Sequence, residues 1–269
     1  MPEGDTIHRT ATALAAVLVG RVVARLASNI PVVSHARLVG HTITGVDAHG
    51  KNLFIRFDDG RVLHSHMQMT GSWHLYQPGE RWKRPAYLAR CVIEVEAAVA
   101  VCFSAPVLRV LTAPALARDD RLTALGPDIL GETFDEGEAM ARIHSSPGRQ
   151  IGDAILEQRF VAGIGNIYKS ESLFVARLDP FVTVATLGDE PLKKVLAAAR
   201  KLMRANLRTV VRTTTSAGAA SGRYWVYGRS RRPCRRCGTR IQMRRQGKAA
   251  RSTYWCPRCQ QPQAAGSAT

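Results

Sequence analysis

Residues 1 to 5 read Met1-Pro2-Glu3-Gly4-Asp5. Removal of the initiator methionine would leave proline at the chain's start, a secondary amine with a carboxylate on the next residue. Such an amine attacks an aldehyde carbon and forms an iminium, the covalent strategy of enzymes with amine nucleophiles. At an unperturbed α-amino pKa of about 7.7 to 8.0, part of it is neutral at pH 7 without special burial. Glu3 then stands beside the nucleophile as a candidate general acid or base. Taken alone, the same five residues also read as an ordinary start to a first helix.

A second chemistry lies near the other end. Cys234-Arg-Arg-Cys237 and Cys256-Pro-Arg-Cys259 are two C-x2-C pairs separated by residues 238 to 255. Each pair presents two thiolates from a tight turn, and four thiolates complete a closed tetrahedral site for one Zn²⁺ ion. A closed site leaves no position for water, so the expected zinc is structural and folds the module around it. Two disulfides are the competing reading, which a cytosolic setting disfavours. Cys91 and Cys102 sit in strand patterns and read as buried thiols. His64 and His66 alternate on one strand with no third ligand nearby, the pattern of hydrogen-bonded sheet residues.

Between these ends runs Gln158-Arg-Phe-Val-Ala-Gly-Ile-Gly-Asn166. Gly163 and Gly165 permit a tight loop that bares backbone N–H groups at a helix start, where the helix dipole also favours an anion. Asn166 is placed either to cap that helix or to offer its amide to a phosphate. A plain helical hairpin needs glycine as well, and the loop alone does not separate the two.

The elements that must hold these residues follow from periodicity. Asp5-Thr6, then Ile7, Ala11, Leu14, Ala15 and Leu18, ending at Gly20, predicts an N-capped amphipathic helix stopped by glycine. Period-two segments come next: Val22 to Leu26, Thr42 to Val46, Leu53 to Phe57, a turn at Asp58-Asp59-Gly60, Val62 to Met67, Cys91 to Val95, Val99 to Phe103 and Val107 to Leu111. They predict a pair of short-stranded sheets. From about residue 115 the spacing turns helical over Phe134 to Ile143, Ile151 to Gln158, Ile167 to Val175 and Pro191 to Val210. Thr213 to Gly222 reads as a mobile loop. The cysteine module follows, with a hairpin over Ile241 to Met243 and Ser252 to Trp255. The expected class is therefore α+β, divided as a β-sandwich with a flanking helix (1 to 114), a helical domain (115 to 222), a four-cysteine finger (223 to 262) and a disordered tail (263 to 269).

The net charge of +17 is unevenly placed, since residues 200 to 269 hold 17 Lys and Arg and no Asp or Glu. The whole formal excess lies in the last quarter, the footprint of a polyanion-binding module. Aromatic residues and paired cysteines run through it, which separates it from a solvated basic tail. Arg244, Arg245, Lys248 and Arg251 fall on or near the hairpin tip, within reach of phosphates. No apolar run approaches the ~18 residues of a membrane span, and no charged-then-apolar leader begins the chain, so a cytosolic protein is expected.

Three separated motifs together resemble one family. Pro2-Glu3-Gly4, the segment from Val161 to Glu171 and the finger ending Tyr254-Trp-Cys-Pro-Arg-Cys-Gln260 look like the formamidopyrimidine-DNA glycosylase and endonuclease VIII family of DNA repair enzymes, from residue 2 to about 261. The resemblance implies a bifunctional DNA glycosylase and AP lyase, with a β-sandwich, a helix-two-turn-helix domain and a zinc finger gripping DNA from opposite sides of a cleft. It implies a flipped nucleotide, attack of the processed proline amine on the sugar C1′, departure of the base, and β- then δ-elimination. By position, Pro2 corresponds to the nucleophile and Glu3 to the proton shuttle. Lys51 corresponds to a lysine that contacts phosphate and assists elimination. Asn166 corresponds to a phosphate ligand, and Arg251 to the finger-tip arginine. Gln68 and Met69 correspond to wedge residues that fill the hole left by the flipped base, although Met69 also suits a core position.

The Pro-Glu-Gly-Asp-Thr start and the short 213 to 222 loop look more like the endonuclease VIII branch. Oxidised pyrimidines are accordingly expected over 8-oxoguanine. An arginine that this branch carries before its Val-Gly-Pro-Asp segment is replaced by Ala124. The expected partner is damaged or abasic duplex DNA, bound by a monomer in a bacterial, nucleoid-associated cytoplasm without membrane contact. Two other readings stay in view: a zinc-dependent DNA-binding protein without catalysis, and an RNA-binding zinc ribbon on an unrelated domain.

Overall fold

The structure, a computed structural model, describes residues 2–215 and 222–261. Most of the loop expected over 213 to 222, and the tail expected from 263, lie outside the described residues. The chain forms two compact units, Met1–Ala124 and Leu125–Thr269.

The first unit opens with α1 (Gly4–Leu18), whose buried stripe of Ile7, Ala11, Leu14 and Leu18 matches the expected helical period. The helix starts two residues earlier than its composition suggests. Glu3 is the N-cap residue, its carbonyl accepting from the N–H groups of Thr6 (2.9 Å) and Ile7 (3.2 Å), while Asp5 lies inside the first turn. An acid there favours the positive end of the helix dipole without being the cap. After α1 come β1 (Arg25–Ser28), α2 (Pro31–Ser34), β2 (Ile43–His49), β3 (Asn52–Phe57), β4 (Val62–His66), β5 (Ser72–Tyr76), β6 (Ala89–Val95), β7 (Ala98–Phe103) and β8 (Val107–Leu111). Two short helices, α3 (Ala113–Ala117) and α4 (Asp120–Thr123), close the unit.

The strands form two antiparallel four-stranded sheets, in the orders β1-β6-β7-β5 and β2-β3-β4-β8. One apolar cluster, drawing on α1 and both sheets, fills the space between them. Strand β7 is buried throughout: Ala98, Ala100 and Cys102 enter that cluster, while Val99, Val101 and Phe103 enter a second one with Tyr76 and Trp82. Its outer face is therefore covered, by the connection between β5 and β6. Strand β5 is absent from the expectation above, because Ser72 and His74 break the apolar run and the hydrogen bonds that link Ser72 to His74 and His74 to Tyr76 are invisible in a hydropathy pattern.

The second unit contains α5 (Glu136–His144), α6 (Ile151–Ala154), α7 (Asn166–Val175), α8 (Asp189–Ala205) and a hairpin of β9 (Gln242–Gln246) with β10 (Arg251–Trp255). Asp135 caps α5 by accepting from the Glu138 N–H at 2.8 Å. Helix α6 ends at Ala154, four residues short of its expected end. The chain beyond it passes Gly126 so closely that a Cβ there would lie 2.5 Å from the Phe160 carbonyl oxygen. Helix α8 stops at Ala205 because the side chain of Asn206 turns back on the chain: its Nδ2 donates to Leu202 O and Thr213 O, and its Oδ1 accepts from Thr213 N.

Candidate catalytic and nucleic-acid-binding residues

In the first unit, Pro2 is half-buried and Glu3 has 0% exposure at the head of α1. That helix packs on β2 and β3, the two strands whose connection carries Lys51. Gly50, at φ +58°, makes this tight connection, and Lys51 is half-buried at its end. The lysine charge reaches His66 across the β3–β4 pair. His66 is held below the ordinary imidazole pKa first by burial and then by Lys51. His66 Nδ1 in turn accepts from the Gln68 N–H at 3.1 Å, fixing the start of the turn that follows β4.

That turn displays the two expected wedge residues. Gln68 occupies the left-handed region at φ +46°, unusual for a side chain with a Cβ. Met69 is 64% exposed, so it is not a core residue. Gly71 closes the turn through its N–H to Met67 O (2.8 Å), in a space where a Cβ would lie 2.7 Å from that same oxygen and 2.9 Å from Ala105 Cα. Behind it, Trp73 Nε1 donates to Ser65 Oγ at 3.0 Å. His64 is a sheet residue in a buried polar chain. Its Nδ1 accepts from Arg109 Nε (3.1 Å), its Nε2 donates to Asn52 Oδ1 (2.9 Å), and Arg109 pairs with Asp119 at 2.6 Å. Burial and then the Arg109 charge lower the His64 pKa to about 4, so the ring is neutral at pH 7.

In the second unit, the loop before α7 is built by a residue whose role the motif did not reveal. Gln158 Oε1 accepts from Gly163 N (3.1 Å), and its Nε2 donates to Ile164 O (3.0 Å) and Leu156 O (2.8 Å). Gly163 has φ +105°, a conformation that L side chains avoid. Asn166 is the first residue of α7 rather than its cap. Gly165 is the N-cap, without a side-chain bond. Both donor contacts of Asn166 go to the finger: Nδ2 reaches Ser252 O at 2.8 Å and Ser252 Oγ at 3.2 Å, and Oδ1 is buried without a partner. Lys169, with 0% exposure, donates to the same Ser252 carbonyl (3.2 Å) and to Thr253 Oγ1 (2.7 Å). Thr253 passes the chain on to Gln246 Oε1 at 2.8 Å, whose Nε2 binds Gln150 Oε1 and Pro180 O. Helix α7 and the hairpin are thus joined through a buried polar seam, and Arg251, next to Ser252, is exposed with no ion-pair or hydrogen-bond partner among the described residues.

Glu171, one turn further along α7 and also with 0% exposure, collects the backbone N–H groups of Trp225 (2.8 Å), Val226 (2.9 Å) and Tyr227 (2.8 Å) and the hydroxyl of Thr214. Burial pushes its pKa up and these donors, Thr214 first, pull it back. The chain leading into the finger is fixed by this one carboxyl group. The four cysteine sulfurs lie within 4.8 Å of one another, with Cys234–Cys259 at 3.9 Å and Cys237–Cys256 at 3.5 Å. Zn–S bonds of ~2.3 Å in a tetrahedron place sulfurs ~3.8 Å apart, so the donor set fits one structural zinc ion. Cys91 and Cys102 are buried free thiols, as their positions in strands implied, with the Cys91 pKa raised to about 12 by burial.

Comparison with known proteins places this arrangement. Residues 1–106 match the formamidopyrimidine-DNA glycosylase N-terminal domain, 125–217 the H2TH domain of the same enzymes, and 232–262 the zinc finger found in FPG and IleRS. The chain belongs to the formamidopyrimidine-DNA glycosylase and endonuclease VIII family of DNA glycosylase/lyases. Within that family it is 39% identical to the probable endonuclease 8 2 of Streptomyces coelicolor, over 97% of this chain and 94% of that one. It is 38% identical to the DNA-(apurinic or apyrimidinic site) lyase Nei2 of Mycolicibacterium smegmatis, over 97% and 99%. The solved Lactococcus lactis formamidopyrimidine-DNA glycosylase bound to DNA containing an AP site shares the fold, with a TM-score of 0.80 at 22% identity over 97% of this chain and 100% of that one.

Proposed function

We propose that this chain is a bifunctional DNA glycosylase and AP lyase that excises oxidised bases from duplex DNA, pyrimidines in preference to purines. The observation that carries the reading is Pro2-Glu3 at the head of α1, with Glu3 fully buried and the helix seated on the two strands whose connection carries Lys51. Once Met1 is removed, the Pro2 nitrogen lone pair bonds to C1′ of a flipped nucleotide as the glycosidic bond breaks and the base leaves with its electrons. Opening of the sugar ring at O4′ gives an iminium, with the Glu3 carboxyl supplying the proton to that oxygen. Loss of a C2′ proton then breaks the C3′–O3′ bond, and loss of a C4′ proton breaks the C5′–O5′ bond. Hydrolysis of the remaining iminium returns the free amine.

Lys51 holds the phosphate beside this centre and, through its charge, favours the neutral amine. Gln68 pairs with the orphaned base, and the Met69 thioether enters the vacated stack; the exposure of both side chains supports this role. Arg251 grips a phosphate from the finger. Asn166 serves the same strand once the longer of its two contacts to Ser252 opens and frees one N–H. Zinc, held by Cys234, Cys237, Cys256 and Cys259, supplies folding energy to the finger and no step of the reaction. The chain acts as a monomer of three working parts, sandwich, two-turn helical domain and finger, in the bacterial cytoplasm. The short connection between Arg212 and Arg223 leaves little chain to cover an extruded purine, which supports the pyrimidine preference.

Borohydride trapping on abasic duplex tests the chemistry. Processed protein should give a covalent adduct, and Pro2→Gly or a chain that keeps Met1 should give none. An equal adduct from the Met1-retaining chain, or none from the processed one, sinks the mechanism. Duplexes carrying thymine glycol, dihydrouracil or 8-oxoguanine then rank the lesions, with the two pyrimidines expected to be cleaved faster.

A further inference from the structure

The most strongly charged unexplained surface of the first unit is the connection between β5 and β6. Residues 81 to 88 contain Arg81, Lys83 and Arg84 and no acid, and the preceding Glu80 is turned to its own backbone, accepting from Gln77 N at 2.9 Å. None of these three cations forms an ion pair among the described residues. Elsewhere in the unit Arg25, Arg56, Arg61 and Arg109 each hold a carboxylate. The connection is nonetheless well fixed. Lys83 N donates to the Tyr76 hydroxyl (3.1 Å), Arg84 Nη1 donates to Ser72 Oγ (2.9 Å), and the Trp82 ring meets Phe103 edge-on at 5.8 Å.

Its exposed face has one further feature. Tyr87 is 80% exposed and makes no ring contact with any described residue, while residues 80–86 line an open concavity of about 700 Å³. We propose that this connection is a second nucleic-acid surface that holds single-stranded DNA, with the cations on phosphates and Tyr87 as a stacking platform for a base. Unpaired cations on an ordered frame suit a polyanion, and little ordering entropy remains to be lost on binding. A free aromatic face among cations selects a single strand, because duplex bases have both faces covered. The surface belongs to the sheet β1-β6-β7-β5, whereas Lys51 and the Gln68 turn belong to the ends of β3 and β4 in the other sheet. It goes beyond the proposed reaction and does not depend on it.

The test uses the full zinc-loaded chain and a labelled, unmodified thymidine oligonucleotide of about 16 nucleotides, the upper end of common single-strand site sizes. The charge-reversed R81E/K83E chain should bind it at least tenfold more weakly, with the salt slope reduced by about 1.4, or ~0.7 for each of two phosphates no longer neutralised. Tyr87→Ala should weaken binding at least ~5-fold, within the range for one stacked base. Both variants should keep wild-type melting temperature, zinc content and nicking of a short abasic duplex, and the wild-type chain saturated with that duplex should still bind the oligonucleotide. Unchanged oligonucleotide affinity in both variants overturns the proposal. So does a silent Tyr87→Ala beside an R81E/K83E that weakens duplex and single strand equally, since that pattern assigns the surface to duplex. A wild-type chain that fails to nick abasic DNA sinks the enzymatic reading alone and leaves the binding comparison intact.

Discussion

At the scale of single residues, His64 gives the sandwich a pH dependence with a definite sign. Its folded pKa of about 4 lies below the ordinary 6.5, because burial and Arg109 disfavour the imidazolium. Between these values the unfolded chain binds more protons than the folded one, so stability is full above about pH 6.5 and falls as pH drops toward 4. The loss from this one group is on the order of 3 kcal/mol. Urea midpoints at pH 7, 5.5 and 4.5 should show that loss, and His64→Gln should flatten it, since glutamine does not titrate. An unaltered slope in the variant would assign the acid sensitivity to other groups. Gly71 offers a second measurement. A Cβ there meets the Met67 and Ala105 backbones at under 3 Å, so Gly71→Ala must displace the turn that presents Gln68 and Met69. The expected result is a fall of 2 kcal/mol or more, roughly the size of an overpacking penalty, with a larger loss of lesion excision than of zinc. Not all residues were equally open to sequence reading. The cysteine pairs and Pro2-Glu3 announce themselves by type and spacing, whereas Gln158 acts by binding the backbone of its own loop and Lys169 by reaching the Ser252 carbonyl far along the chain, and neither role follows a recognisable residue pattern.

Among the elements, α7 does most to organise the second unit, because consecutive turns of one helix hold opposite ends of the finger. Asn166 and Lys169 take the Ser252 carbonyl in β10, while Glu171 takes the segment 225–227 that leads to Cys234. Replacing Glu171 by Gln removes one acceptor oxygen and turns an amide N–H₂ toward backbone donors. Each donor left unsatisfied costs roughly 1–3 kcal/mol, so Glu171→Gln should destabilise the second unit and speed zinc release to a chelator. A variant with wild-type melting and wild-type zinc release would show that the carboxylate is dispensable as a latch. Removing zinc from the wild type should have a related but narrower effect. Protection of β9 and β10 amides from hydrogen exchange should be lost, while α8, built on its own apolar cluster, keeps its protection. The periodic elements, α1, α7, α8 and most strands, were legible because amphipathic spacing sets them. Strand β5 and the early end of α6 were not. The first depends on polar pairs along one face, and the second on the approach of Gly126 to the chain at Phe160, which no neighbouring residue encodes.

At the scale of the whole molecule, charge placement was fully legible from composition, but its meaning depends on which cations are already paired. The first unit holds several arginines in salt bridges, and these should contribute little to nucleic-acid binding, because a carboxylate already neutralises each of them. Arg25, at 2.6 Å from Glu94, is such a residue, while Arg251 on the finger hairpin has no partner among the described residues. Binding of an undamaged duplex should follow a linear fall of log K with log salt, because each phosphate that a cation neutralises releases condensed counterions. Arg251→Ala should lower the magnitude of that slope by about 0.9, the value for one neutralised phosphate. Arg25→Ala should leave it unchanged, and any small loss of stability in that variant would not enter the slope. Equal slopes for Arg251→Ala and the wild type would take Arg251 off the phosphate backbone and leave the excess charge of the last quarter without its proposed use. A reduced slope in Arg25→Ala would mean instead that formal charge, rather than unpaired charge, steers this chain to DNA.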